Sequence, residues 1–145
     1  MLIDKDNLPM VAVDLMNEIH VEDVDIINEL FELILNYERE PNQANQELID
    51  QKYQAWYDHT VAHFRFEEME MQELAFPAYP FHKSEHDKAL AMMYELFEQW
   101  QQSRDITLLK HYFIEVLPTW LTQHIQTMDT VTAMFFKTGL SPCSV

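Results

Sequence analysis

Apolar side chains recur at every third or fourth position along most of this chain, the period at which one face of an α-helix meets a core. His20, Val24, Ile27, Phe31 and Ile34 form one such stripe, from about Asn17, a good N-cap residue, to about Arg39. Pro41 ends that helix. A second pattern begins near Asn42–Asn45 and runs to about Leu74, with Trp56, His59, His63, Phe66 and Glu67 on or near one face. The run Phe76-Pro77-Ala78-Tyr79-Pro80 breaks it. A third starts close to Pro80–Phe81 and turns His82, His86, Leu90, Met93, Phe97 and Trp100 inward. After a connection around Gln102–Asp105, a fourth extends from about Ile106 to Lys137, where Pro118 should kink the helix or mark its true start. Gly139 is placed as a C-terminal helix signal. Long helices joined by short loops imply antiparallel neighbours, and so an all-α, up-down-up-down four-helix bundle. Residues 1–15 read as an N-terminal arm carrying the apolar stretch Leu8–Val13, 16–138 as the bundle, and 139–145 as a C-terminal tail.

Composition sharpens this picture. A single glycine leaves little material for hairpins or phosphate loops, while the abundant Leu, Met, Glu, Gln and Ala favour helix. The 9 Lys+Arg against 25 Asp+Glu give a formal charge of −16, which argues against nucleic acid or an anionic membrane as partner. Cys143 is the one cysteine, so an internal disulfide, a Cys-based zinc knuckle and an iron–sulfur cluster held by this chain alone are excluded. The charged N-terminus Met1–Asp6 lacks the apolar stretch of a signal peptide, and no segment approaches a membrane span. A cytoplasmic location is expected.

The chemistry lies in the histidines. Of 7, five occur at helical spacings that also bring in two carboxylates: His20, His63 with Glu67, His82 with His86, and His124 with Asp129. Residues at i, i+4 share a helix face, and i, i+5 nearly so. Each pair alone is weak, since HxxxE and HxxxH occur by chance. Four consecutive helices each turning ligands toward one interior describe a metal centre with too many donors for one ion and enough for two. Imidazoles with two carboxylates suit iron better than magnesium or calcium. His111 reads as a surface residue, and the nine methionines as core filler rather than copper ligands.

The runs His63-Phe-Arg-Phe-Glu67-Glu68, Tyr79-Pro80-Phe-His82-Lys-Ser-Glu-His86-Asp and Trp120-Leu121-Thr-Gln-His124-Ile125-Gln-Thr-Met-Asp129 resemble the hemerythrin family in its bacterial form. The likeness extends from about His20 to Asp129. It implies two iron ions with an oxo or hydroxo bridge, joined further by Glu67 and Asp129. His82, His86 and His124 would complete one iron, and His20 and His63 would hold the other, which keeps a position open. It also implies that dioxygen binds there reversibly, in a pocket walled by Phe64, Trp120, Leu121 and Ile125. Read without the family, those four are large apolar residues beside ligands, with core packing as their default role. Glu68 would point partly away from the site.

Two positions depart from the family. Asp23 stands three after His20, where the oxygen carriers usually have an apolar residue. Either it opens the helix's first turn, favoured by the dipole and facing solvent, or it brings a carboxylate to the pocket as hydrogen-bond partner, proton relay or extra ligand. The first is preferred on sequence alone. His59, four before His63, replaces a frequent tyrosine. It could touch a ligand from outside or replace one; a part-exposed histidine bonded to a neighbour is the preferred reading.

Reversible oxygen binding for storage, delivery or sensing is the leading expectation, with no catalytic residue assigned. The alternative is a di-iron redox enzyme at the same site: a peroxidase, an oxidase or a nitric-oxide-related reductase. No histidine has a glutamate three residues before it, which speaks against a ferritin-like oxidase.

Overall fold

The computed structural model describes residues 2–138; the expectations for Gly139, Cys143 and the tail lie outside the described residues. Helices α1 (Asp14–Arg39), α2 (Gln43–Glu73) and α3 (Tyr79–Ser103) are followed by a composite rod. That rod consists of α4 (Ile106–His111), a π-helical turn (Tyr112–Val116), α5 (Leu117–His124), a second π turn (Ile125–Asp129) and α6 (Thr130–Thr138). Among the described residues there is no β-strand.

The stops and starts follow local chemistry. Asn42 caps α2 by accepting from the backbone N–H of Asn45 at 2.8 Å, and Asp105 caps α4 through Thr107 at 3.0 Å. Arg104 ends α3 in the left-handed region, at φ 52°. Pro118 does not break the last rod. It lies in the first turn of α5, and the π turn just before it takes up the change in hydrogen-bond register that a missing N–H requires.

Helix α1 begins at Asp14, earlier than the expected Asn17, and its cap residue Val13 makes no side-chain bond. Asn17 is engaged elsewhere. Its amide accepts from Val11 N–H at 2.9 Å and donates to Val11 C=O at 3.0 Å. Asn28 grips Ile3 in the same two-way fashion, at 2.8 Å in both directions. These two clamps lay the arm along α1, with Val11 buried and Leu2, Ile3 and Leu8 packed against the core.

The rods pack α1 on α2, α2 on α3, and α4 on both α1 and α3, while α6 returns to α2. At one end the core is aromatic and dry. Tyr53 stacks on Phe97 at 4.4 Å and donates its hydroxyl to Met93 C=O at 2.6 Å, and Trp100 meets Tyr37 edge-on at 5.2 Å. Lys110, near the start of the last rod, pairs with Glu38 near the end of α1 at 2.8 Å. At the other end the buried side chains are histidines and carboxylates.

Candidate metal centre

His20 from α1, His63 and Glu67 from α2, His82 and His86 from α3, and His124 and Asp129 from the last rod are all buried, none exposed by more than 6%. So much polar surface in a protein interior demands partners. The partners are the groups themselves. Glu67 sets Oε1 2.6 Å from His63 Nε2, and its Oε2 3.2 and 3.4 Å from the Nε2 atoms of His86 and His82. Asp129 sets Oδ2 3.0 Å from His20 Nε2, and its Oδ1 3.0 and 3.2 Å from those of His82 and His124. Each carboxylate therefore turns one oxygen toward His20 or His63 and the other toward the trio His82, His86 and His124. Ligand atoms of Glu67, His82, His86, His124 and Asp129 lie within 4.8 Å of one another, as do those of His20, His63 and Glu67.

Local geometry explains how the last rod supplies its two donors, His124 at the end of α5 and Asp129 at the end of the second π turn. In the π turn Ile125–Asp129 the backbone bonds run i→i+5 and the helix is underwound, so Asp129 comes round closer to the face of His124 than it would in an α-helix. Thr130 donates its hydroxyl to Ile125 C=O at 2.7 Å, holding a carbonyl in the π segment.

The donor set fits a pair of metal ions. Glu67 Oε2, Asp129 Oδ1 and His86 Nε2 are buried without an aligned hydrogen-bond partner. Acceptor atoms crowded together in this way repel unless a cation lies among them. Donors sharing one first-row ion at bonds of about 2.1 Å lie roughly 3 Å apart when at right angles, the range seen between these nitrogens and oxygens.

Without metal, protons serve as the cations. Burial alone would lower His82, but hydrogen bonds and charge from Asp129 and Glu67 lift it from 6.5 to about 9. Burial likewise opposes the charge of His63, and Glu67 and Asp23 overcome it. Burial and the neighbouring Asp129 press Glu67 upward, yet His63 and His82 hold it below its ordinary range. Asp129 is held well below its own by His124, His20 and His82 against its burial. The raised histidine contributes stability fully below 6.5 and loses it as pH climbs through about 9. The depressed Asp129 contributes above 3.8 and loses its share as pH falls through its lower folded value. Metal-free protein should therefore melt at falling temperature as pH is raised from 6.5 to 9, a loss measurable by thermal denaturation. A flat profile over that window would contradict the assignment.

A second tier of side chains grips the outer ring nitrogens. Glu68 lies 2.9 Å from His86 Nδ1 and Thr132 2.7 Å from His82 Nδ1. Glu68 thus lies outside the donor cluster and supports a ligand from behind, with its other oxygen 3.8 Å from Lys83, while Thr132 escaped the sequence reading. Its spacing of one helical turn from Asp129 was the available signal. Asp23 is 5% exposed and sits well inside α1, so the first-turn, solvent-facing reading fails because the helix starts at Asp14. Its Oδ2 lies 2.7 Å from His63 Nδ1 and its Oδ1 2.6 Å from His59 Nδ1. His59 is part-exposed, with Glu22 at 3.4 Å on its other nitrogen, and stands apart from the ligand groups. His111 is exposed, as expected.

A cavity of about 30 Å³ adjoins His20, Asp23, His63, His124 and Asp129, so Asp23 brings its carboxylate to the pocket wall. Phe64, Trp120 and Leu121 line it as expected, together with Ile27, Trp56, Met93 and Leu117. Ile125 is not among the lining residues; it is fully buried in the core, the default role of a large apolar residue beside a ligand. The cavity has room for one or two small molecules and an apolar wall that disfavours water.

The family comparison agrees with this constellation. The chain matches the model of the hemerythrin HHE cation binding domain over residues 11–135. It belongs to the hemerythrin family. This hemerythrin-family chain is 29% identical over 133 residues to the bacteriohemerythrin of Aquifex aeolicus (strain VF5), covering 92% of this chain and 96% of that protein. It is 35% identical over 75 residues to the bacteriohemerythrin of Ralstonia nicotianae, covering 52% and 53% of the two chains. With that of Methylococcus capsulatus it shares 26% over 101 residues, covering 69% and 75%. No solved structure matches this hemerythrin-family chain at a significant level. Among its described residues, no helix is long and apolar enough to cross a membrane.

Proposed function

We propose that this protein holds two iron ions and binds dioxygen reversibly between them and the adjoining cavity, for oxygen storage, delivery or sensing. The observation that carries the reading is the division of each carboxylate between the two histidine groups. Glu67 and Asp129 would bridge, His82, His86 and His124 would fill one ion's remaining positions, and His20 and His63 would leave the other one short. Such a pair, when bound, would supply the reversible electron exchange that oxygen binding needs. The chain's part is to place the donors, balance their charge and keep water out. Phe64 stacks on His86 at 3.8 Å and Trp120 on His124 at 4.7 Å, which fixes the ring planes of two ligands from the apolar side.

Reversible binding is favoured over redox catalysis by the apolar majority of the cavity wall, which includes Ile27, Phe64, Leu117, Trp120 and Leu121. Asp23 also lines it, with each oxygen beside an imidazole nitrogen, and is the residue through which redox chemistry would be favoured. Dioxygen is the partner in this reading, with neither nucleic acid nor membrane, and a cytoplasmic location accompanies it. The same reading takes the bundle as up-down-up-down, supported by Lys110 meeting Glu38 at one end and His20 meeting Asp129 at the other.

Metal analysis and an optical spectrum of the reduced protein, recorded before air, after air and after deoxygenation, test this function. Two irons per chain with an oxygen-dependent visible band that disappears on deoxygenation are expected. Irreversible oxidation without such a band would move the function to di-iron redox catalysis.

A further inference from the structure

Glu22 and Asp23 on α1, with His59 and His63 on α2, form an alternating acid–base row that runs from the surface to the metal centre. Its inner carboxylate is costly: Asp23 is 5% exposed, and a buried charge persists only where partners compensate it. Each of its oxygens has one such partner, His63 Nδ1 at 2.7 Å and His59 Nδ1 at 2.6 Å. At those separations a carboxylate oxygen faces a nitrogen that carries hydrogen, because a bare nitrogen would oppose lone pair to lone pair. Without metal, His63 Nε2 carries a proton toward Glu67 as well; with a metal ion in that proton's place, His63 keeps its proton on Nδ1 and turns the Nε2 lone pair to the ion. The oxygens lie beside the N–H axes rather than along them, so charge carries more of the attraction than hydrogen-bond alignment does. An amide of the same shape would not replace it.

We propose that Asp23 is a positioning residue that holds the His63 ring with Nε2 toward the metal centre, with His59 as the outer support that keeps Asp23 in place. The role rests on the metal reading above and deepens it at one ligand. His86 and His82 have Glu68 and Thr132 in the corresponding place, so His63 is the ligand whose orientation depends on α1. A carboxylate on the outer nitrogen also makes the imidazole a stronger donor, favouring the more highly charged metal state.

Anaerobic ferrous titration of the metal-free protein, followed by measurement of the midpoint potential, tests the role in wild type, Asp23→Asn and His59→Leu. Wild type should take up two equivalents. Asp23→Asn should bind one of them roughly 10–100-fold more weakly and shift the potential upward. His59→Leu, at a part-exposed position, should move the same equivalent in the same direction by less, and carries the test if Asp23→Asn does not fold. Wild-type affinity for both equivalents and an unchanged potential in the variants would overturn the positioning role while leaving the metal centre intact. A wild type that takes up no ferrous iron would overturn the metal reading itself, and this role with it.

Discussion

Glu67→Ala should yield a chain that stays helical but no longer holds a pair of irons, with metal content falling from two per chain to below one. Glu67 is fully buried, and its two oxygens face different histidine groups, His63 on one side and His82 with His86 on the other. Truncation therefore removes a donor from both halves at once and takes away half of the carboxylate charge between them. It also leaves His63 and His82 with one acid in place of two, Asp23 and Asp129 respectively. Breaking a buried ionic network by removing one partner costs about 3–5 kcal/mol, so the metal-free variant should also melt earlier than metal-free wild type. Glu67→Gln separates the two effects, since it keeps the volume and one oxygen but removes the charge. Iron analysis beside circular dichroism checks both. Retention of two irons by a folded Glu67→Ala protein would sink the bridging assignment.

Trp100→Ala should have the largest effect on stability away from the metal centre. The indole is fully buried near the end of α3, edge-on to Tyr37, with its N–H donated to Asp50 at 2.9 Å. Arg104 lies over the ring at 5.2 Å and shares Asp50 with it at 2.8 Å. One side chain thus ties together α1, α2 and the close of α3. Its removal leaves a cavity that close-packed neighbours fill only in part, at a cost of about 3–5 kcal/mol. For a domain of this size that is a drop of roughly 10 °C in melting temperature. Two irons per chain should still bind below the new transition, because the residue belongs to the aromatic end of the bundle. Loss of iron without loss of stability would contradict the separation of core and site.

The contrast between those variants reflects how the molecule is encoded. Helices, their breaks at Pro41 and around Pro77, and the seven candidate ligands were legible along the chain because they depend on local geometry. An i, i+4 spacing puts His63 with Glu67 and His82 with His86 on one face whatever lies opposite. The apolar stripes required those faces to turn inward, and a signature spread over four segments pointed to one family. The five-residue step from His124 to Asp129 was readable too, although the π turn that brings Asp129 closer to the face of His124 was not.

What depended on the approach of different helices was out of reach. Asn17 looked like a cap, but the arm folds back and claims its amide, so α1 starts at Asp14 and Asp23 falls in the interior. Its pairing with His59 and His63 joins residues of two helices through distances that no periodicity contains. The same holds for Thr132 against His82, and for which of the large apolar residues beside the ligands border the cavity. Helix periodicity is a property of the backbone and appears in one dimension. Which buried carboxylate finds which imidazole is decided only when the rods pack, because burial makes an unpartnered charge too costly to leave alone.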